Sequence, residues 1–113
     1  MTERAYVAVP ARGNLGQRIA DGSRSDISVC GVRRDLLKRD IDDVIDQQLA
    51  DFRLAEREYG ADARHDYYIV RYDLRHRFPF KADLCGGVPV ARVPAHATSV
   101  AQALTEMETL AEA

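Results

Sequence analysis

Apolar residues recur along this chain at two periods, and the change from one to the other divides it into helices and strands. Leu37, Ile41, Ile45, Leu49 and Phe52 follow one another at intervals of four, four, four and three, and Val44, Ala55 and Tyr59 widen the same stripe. That spacing keeps them on one side of a helix. Asp35 stands where a capping residue belongs, Gly60 where a helix stops, and no Pro or Gly intervenes. A long helix over residues 35–59 is therefore predicted. Near the end of the chain, Thr98 or Ser99 caps a second helix, and Gln102 falls three residues after Ser99 in capping-box spacing. Val100, Ala103, Leu104, Met107, Leu110 and Ala111 line its apolar face. Asn14 and Gly22 bracket one or two further helical turns over residues 15–20.

The period of two marks the strands. Tyr68, Val70, Tyr72 and Leu74 alternate with Tyr67, Ile69, Arg71, Asp73 and Arg75, so a strand over residues 65–75 is the clearest. Phe78, Phe80, Ala82 and Leu84 continue the period after a short link, as the partner in a hairpin would. Residues 6–9 and 27–32 read as two earlier strands, and Cys85-Gly86-Gly87 reads as a turn before a last strand over residues 88–93. The order is strand, short helix, strand, long helix, two or three strands, helix. That order predicts an α+β fold: a mixed or antiparallel sheet of four to five strands, with one long and one shorter helix packed on one face.

Composition narrows this further. With 113 residues, 46% hydrophobic and 30% charged, the chain fits one domain over residues 1–113 with an ordinary core. No apolar run approaches a membrane span and no secretory leader precedes the first strand, so a cytoplasmic location and no membrane partner are expected. Cys30 and Cys85 are isolated from each other and from His65, His76 and His96, which predicts neither a disulfide framework nor a metal site. No cofactor is expected.

Two segments have the form of small-molecule chemistry. Gly13-Asn14-Leu15-Gly16 follows a strand and opens a helix, where backbone N–H groups can hold a phosphate with help from Arg12. The third glycine of a dinucleotide fingerprint is missing, because Arg18 and Ile19 stand in its place. Cys85 ahead of Gly86 and Gly87 offers a thiol beside free backbone donors, with His76 or His96 as a base. A glycine turn and a packed strand-end cysteine explain the two segments without any reaction. With no paired carboxylates and no nucleophile elbow, the chain reads as a non-enzymatic protein, an enzyme being the second alternative.

Charge is segregated. The net charge is only −2, yet nine of the acids and only four of the bases fall in residues 35–62. Residues 64–81 hold five bases against two acids, interleaved with aromatic rings. Tyr67, Arg71, Arg75 and Arg77 form a candidate nucleic-acid surface of stacking rings and guanidinium groups, although the glycine and aromatic pattern of an RNA-binding sheet is absent. A 25-residue helix would be roughly 38 Å long, against a radius of gyration of about 13 Å for a chain of this size. Such a helix would overhang its own sheet and need cover. The leading expectation is thus an accessory protein that acts through protein–protein contacts, as a homodimer or docked on another protein. Asp40, Asp43, Asp46, Phe52 and Tyr59 would form its contact, with nucleic-acid binding as the alternative.

Overall fold

The computed structural model describes residues 3–14, 29–75 and 78–109. Strands β1 (Arg4–Pro10), β2 (Val29–Arg33), β3 (Tyr67–Arg75) and β4 (Lys81–Val93) form an antiparallel sheet in the order β1-β3-β4-β2. A two-residue strand, β5 (Glu108–Thr109), pairs with the far end of β4. Helix α1 (Ile41–Tyr59) is the long one and α2 (Val100–Glu106) the short one. The α+β expectation stands. The predicted short helix over residues 15–20 lies outside the described residues.

The alternation of β3 sorts its residues into two clusters. Tyr68, Val70, Tyr72 and Leu74 join Ala5, Val9, Ala82 and Leu84 in one. Ile69 enters the other, with Tyr67 packed against it. That second cluster holds Ile45, Leu49 and Phe52 of α1, Ala103 of α2, and Ala91 and Val93 of β4. The sheet buries apolar side chains of both parities because it curls, and bulges supply the curl. Two irregularities interrupt the β3–β4 ladder, one between Ile69 and Val70 and one between Arg71 and Asp73. A third lies between Val29 and Val32 of β2.

Three expectations are corrected. The long helix begins at Ile41, not at Asp35. Asp35 lies in a 3₁₀ turn over Arg34–Leu36, and Lys38 then bridges the outer edge of β1, with the Tyr6 N–H donating to the Lys38 carbonyl at 2.9 Å. Arg39 pairs with Glu3 at 2.9 Å and fastens the same segment. Leu37 fits the helical period but packs against the other cluster, because pairing with the β1 edge outcompetes another helical turn. The helix of 19 residues is only about 28 Å long, within a molecule measuring 39 × 30 × 25 Å. It does not overhang.

The second correction concerns Cys85-Gly86-Gly87, which is a bulge inside one continuous 13-residue strand and not a turn between two. Gly86 takes a φ of +62°, where a side chain would be strained. Gly87 leaves room for an aromatic ring, since a Cβ there would stand 2.9 Å from Cε1 of Tyr72. Pro89 is tolerated in mid-strand because it sits beside the other break in the ladder. Third, α2 ends at Glu106, so the chain returns to β4 as β5 instead of continuing the helix. Its start is as expected: Ser99 Oγ accepts from the Gln102 N–H at 3.1 Å, and the Gln102 side chain accepts from the Thr98 N–H at 2.9 Å.

Candidate interaction surface

The joint between β2 and the β3–β4 hairpin builds the most conspicuous surface feature. Arg34 follows β2 directly and works twice there. Its backbone N–H donates to the Phe80 carbonyl at 3.0 Å, and its guanidinium donates to the Phe78 carbonyl at 3.1 Å. The Phe78 N–H closes the turn onto the Lys81 carbonyl at 2.9 Å. The backbone of the hairpin tip is thus held at three points while both rings remain outside, Phe78 at 63% exposure and Phe80 at 82%. Pro79 between them limits the turn further. A cleft of about 790 Å³ runs beside Phe80, lined by three bases (Arg33, Arg34 and Lys81) and one acid, Asp35. Asp35 is engaged by Arg33 at 2.6 Å.

The residues expected at a partner contact differ in exposure. Phe52 is buried in the core, 5.5 Å from the ring of Tyr67 and beneath the Arg64 guanidinium, so it presents nothing to a partner. Tyr59 ends α1 with 78% of its surface exposed. Asp43 and Asp46 are exposed on α1, and Asp40 occupies its N-cap position. Asp42 and Asp43 fall in the first turn, where carboxylates favour the positive end of the helix.

The residues of the candidate nucleic-acid face differ in exposure too. Tyr67 is half-buried, stacked on His65 at 4.7 Å, and cannot act as an open platform for bases. Arg71 already has an interaction partner. Arg75 is exposed, and Arg77 lies outside the described residues. Nearby cations are likewise committed to structure: Arg64 reaches the Ala97 carbonyl at 2.7 Å and Glu56 at 3.0 Å. Arg92 pairs with Asp66 at 2.7 Å.

The two enzyme segments are described only in part. Cys85 is half-buried in the bulge, where Gly86 supplies the positive φ and Gly87 leaves room for Tyr72. His96 sits at the surface, 2.7 Å from Glu106, and His76 lies outside the described residues. Gly13 is described, but Leu15 and Gly16 are not. Among the described residues no group of three or more His, Cys, Asp or Glu side chains could hold a metal ion, and no helix is long and apolar enough to cross a membrane. Burial raises the Tyr72 phenol above its ordinary value of 10.0, which fits a packing role for that ring.

Sequence reasoning placed Phe78 and Phe80 in a strand because they keep its period. The signal that could have found the tip was the Phe-Pro-Phe sequence itself, in which Pro79 removes a ladder donor between two large rings. No protein-family model, curated protein or solved structure matches the chain.

Proposed function

We propose that this chain is a non-enzymatic interaction and assembly protein, and that it pairs with a second copy of itself through the hairpin tip. The observation that carries this reading is the pair of phenylalanine rings held out in water on a fixed backbone. Aromatic rings and Arg side chains supply much of the binding energy at protein interfaces. A segment whose backbone is already hydrogen-bonded loses less conformational freedom on docking. The bases around the tip call for an acidic surface, and Asp43 and Asp46 on α1 provide one on every copy. In a two-fold dimer each tip meets the other copy's helix, so the contact is made twice.

Sedimentation velocity over a range of concentrations tests this reading. The parent chain is expected to dimerise, and a F78S/F80S variant to remain monomeric with an unchanged far-ultraviolet dichroism spectrum. A parent chain that stays monomeric at high micromolar concentration would overturn the self-pairing.

Nucleic-acid binding is the second reading, favoured by the Phe80 ring lining the same cleft as Arg33 and Lys81. Retention of mixed-sequence single-stranded oligonucleotides at low salt, falling steeply as salt is raised, would favour it over self-pairing.

A further inference from the structure

A second feature, independent of the hairpin tip, lies between the outer edge of β1 and helix α1. Gln48 sits in the apolar stripe of α1 between Val44, Ile45, Leu49 and Phe52, and it is only 5% exposed. Its carboxamide nitrogen is buried and has no hydrogen-bond partner. Buried amides are ordinarily paired, so an unpaired one on a side chain that lines a cleft calls for an explanation. Gln48 lines a cleft of about 240 Å³ together with Tyr6, Ala8, Lys38, Val44 and Asp51.

The β1 side of this cleft is a strand edge. The Leu74 N–H bonds to the Glu3 carbonyl and the Ala11 N–H to the Asp66 carbonyl, which fixes the odd-numbered residues of β1 as those facing β3. The even-numbered residues turn their backbone groups outward. Tyr6 uses its outward N–H on Lys38, an intramolecular bridge, after which the chain turns away through the 3₁₀ turn over Arg34–Leu36. Ala8 is the next residue to present an outward N–H and C=O, and it does so in the cleft wall. The edge accepts an extended segment at Tyr6, and one step further on, at Ala8, no other described residue pairs with it.

We propose that this cleft binds an extended peptide strand that pairs with β1 at Ala8 and seats a Gln or Asn side chain against Gln48. Opposite Ala8, the peptide residue accepts from the Ala8 N–H and donates its own N–H to the Ala8 carbonyl, the usual exchange of strand addition. Side chains of paired residues lie on the same face. Ala8 pairs with Ile69, which packs with α1, so the incoming side chain enters beneath that helix. Gln48 Nε2 is the donor it takes once that carboxamide turns toward the cleft, and Asp51, whose Oδ1 already takes a bond from Gln47 at 3.1 Å, is the acceptor. A carboxamide satisfies both, accepting from Gln48 and donating to Asp51. The cleft is smaller than the roughly 300–1,000 Å³ typical of sites for whole small ligands. It suits one anchored residue of a chain.

Nuclear magnetic resonance on the ¹⁵N-labelled full chain provides the test, with the blocked tripeptides Ac-Val-Gln-Val-NH₂ and Ac-Val-Leu-Val-NH₂ as probes. The Gln peptide should shift the Ala8 amide and the Gln48 side-chain NH₂ signals saturably at millimolar concentration. The Leu peptide should bind roughly tenfold more weakly, because it leaves the Gln48 amide unpaired. N-methylation at the Gln residue of the peptide should abolish the shifts by removing the donor to Ala8. Gln48→Leu should erase the preference for the Gln peptide while raising the thermal midpoint, which separates loss of binding from loss of fold. Stationary Ala8 and Gln48 signals, or equal shifts with both peptides, would overturn the proposal. Shifts confined to Phe78 and Phe80 would also overturn it, while leaving the hairpin tip as a binding surface.

Discussion

Tyr72 and Gly87 form one unit, and two predictions follow from how tightly they fit. A Cβ on Gly87 would lie 2.9 Å from Tyr72 Cε1 and 3.1 Å from Val70 Cγ1, and both partners are buried. Neither can yield without displacing its own neighbours. Gly87→Ala should therefore destabilise the fold by about 1–3 kcal/mol, the usual cost of overpacking, read as a lower urea midpoint. The Tyr72 phenol carries the second prediction. Burial holds its folded pKa above the ordinary 10.0, so between the unfolded and folded values the folded state binds more protons. Stability must then fall as pH rises above 10.0, because the unfolded chain ionises first. Equilibrium unfolding from neutral to strongly alkaline pH should show this fall, and Tyr72→Phe should make it shallower.

At the scale of elements, local pattern was legible wherever the local term also decided the outcome. The alternation of Tyr68, Val70, Tyr72 and Leu74 gave the strand and its buried face, and Ser99 with Gln102 gave a helix start that the structure keeps. The failures share a cause. Leu37 fits a helical stripe by spacing, yet Lys38 is drawn into a bridge with Tyr6, more than thirty positions away. Gly86 and Gly87 look like a turn because glycines often make one, but here Gly86 gives the bulge its positive φ and Gly87 makes room for Tyr72 on a neighbouring strand. Pairing between distant segments leaves no trace in a short window of sequence. The hairpin tip was partly legible as a basic, aromatic segment. That Arg34 would hold it from 44 positions upstream was not. Gln48 stands in the sequence as a polar residue inside an apolar stripe, but that its amide is left unpaired depends on the packing around it.

For the molecule as a whole, the loss of the overhang shifts the case for self-association from helix length to charge. Residues 35–62 carry nine acids against four bases, while Arg33, Arg34 and Lys81 gather at the hairpin tip. If tip and helix meet between copies, reversing either partner should prevent pairing and reversing both, on different chains, should restore it. Asp43 and Asp46 are exposed, as are Arg33 and Lys81, so substitution at these sites leaves the core intact. D43K/D46K alone would face a basic tip with a basic helix, and R33E/K81E alone would face an acidic helix with an acidic tip. Each is expected to sediment as a monomer at low ionic strength. Mixed in equal amounts, they oppose unlike charges at both contacts of a two-fold pair, and a dimer containing one copy of each should form. Added salt should weaken that mixed dimer, since the steering charges lie at a wet surface. Dimerisation of either variant alone, as strong as that of the parent chain, would show that charge does not select the partner. The exposed rings of Phe78 and Phe80 would then have to account for any pairing without it.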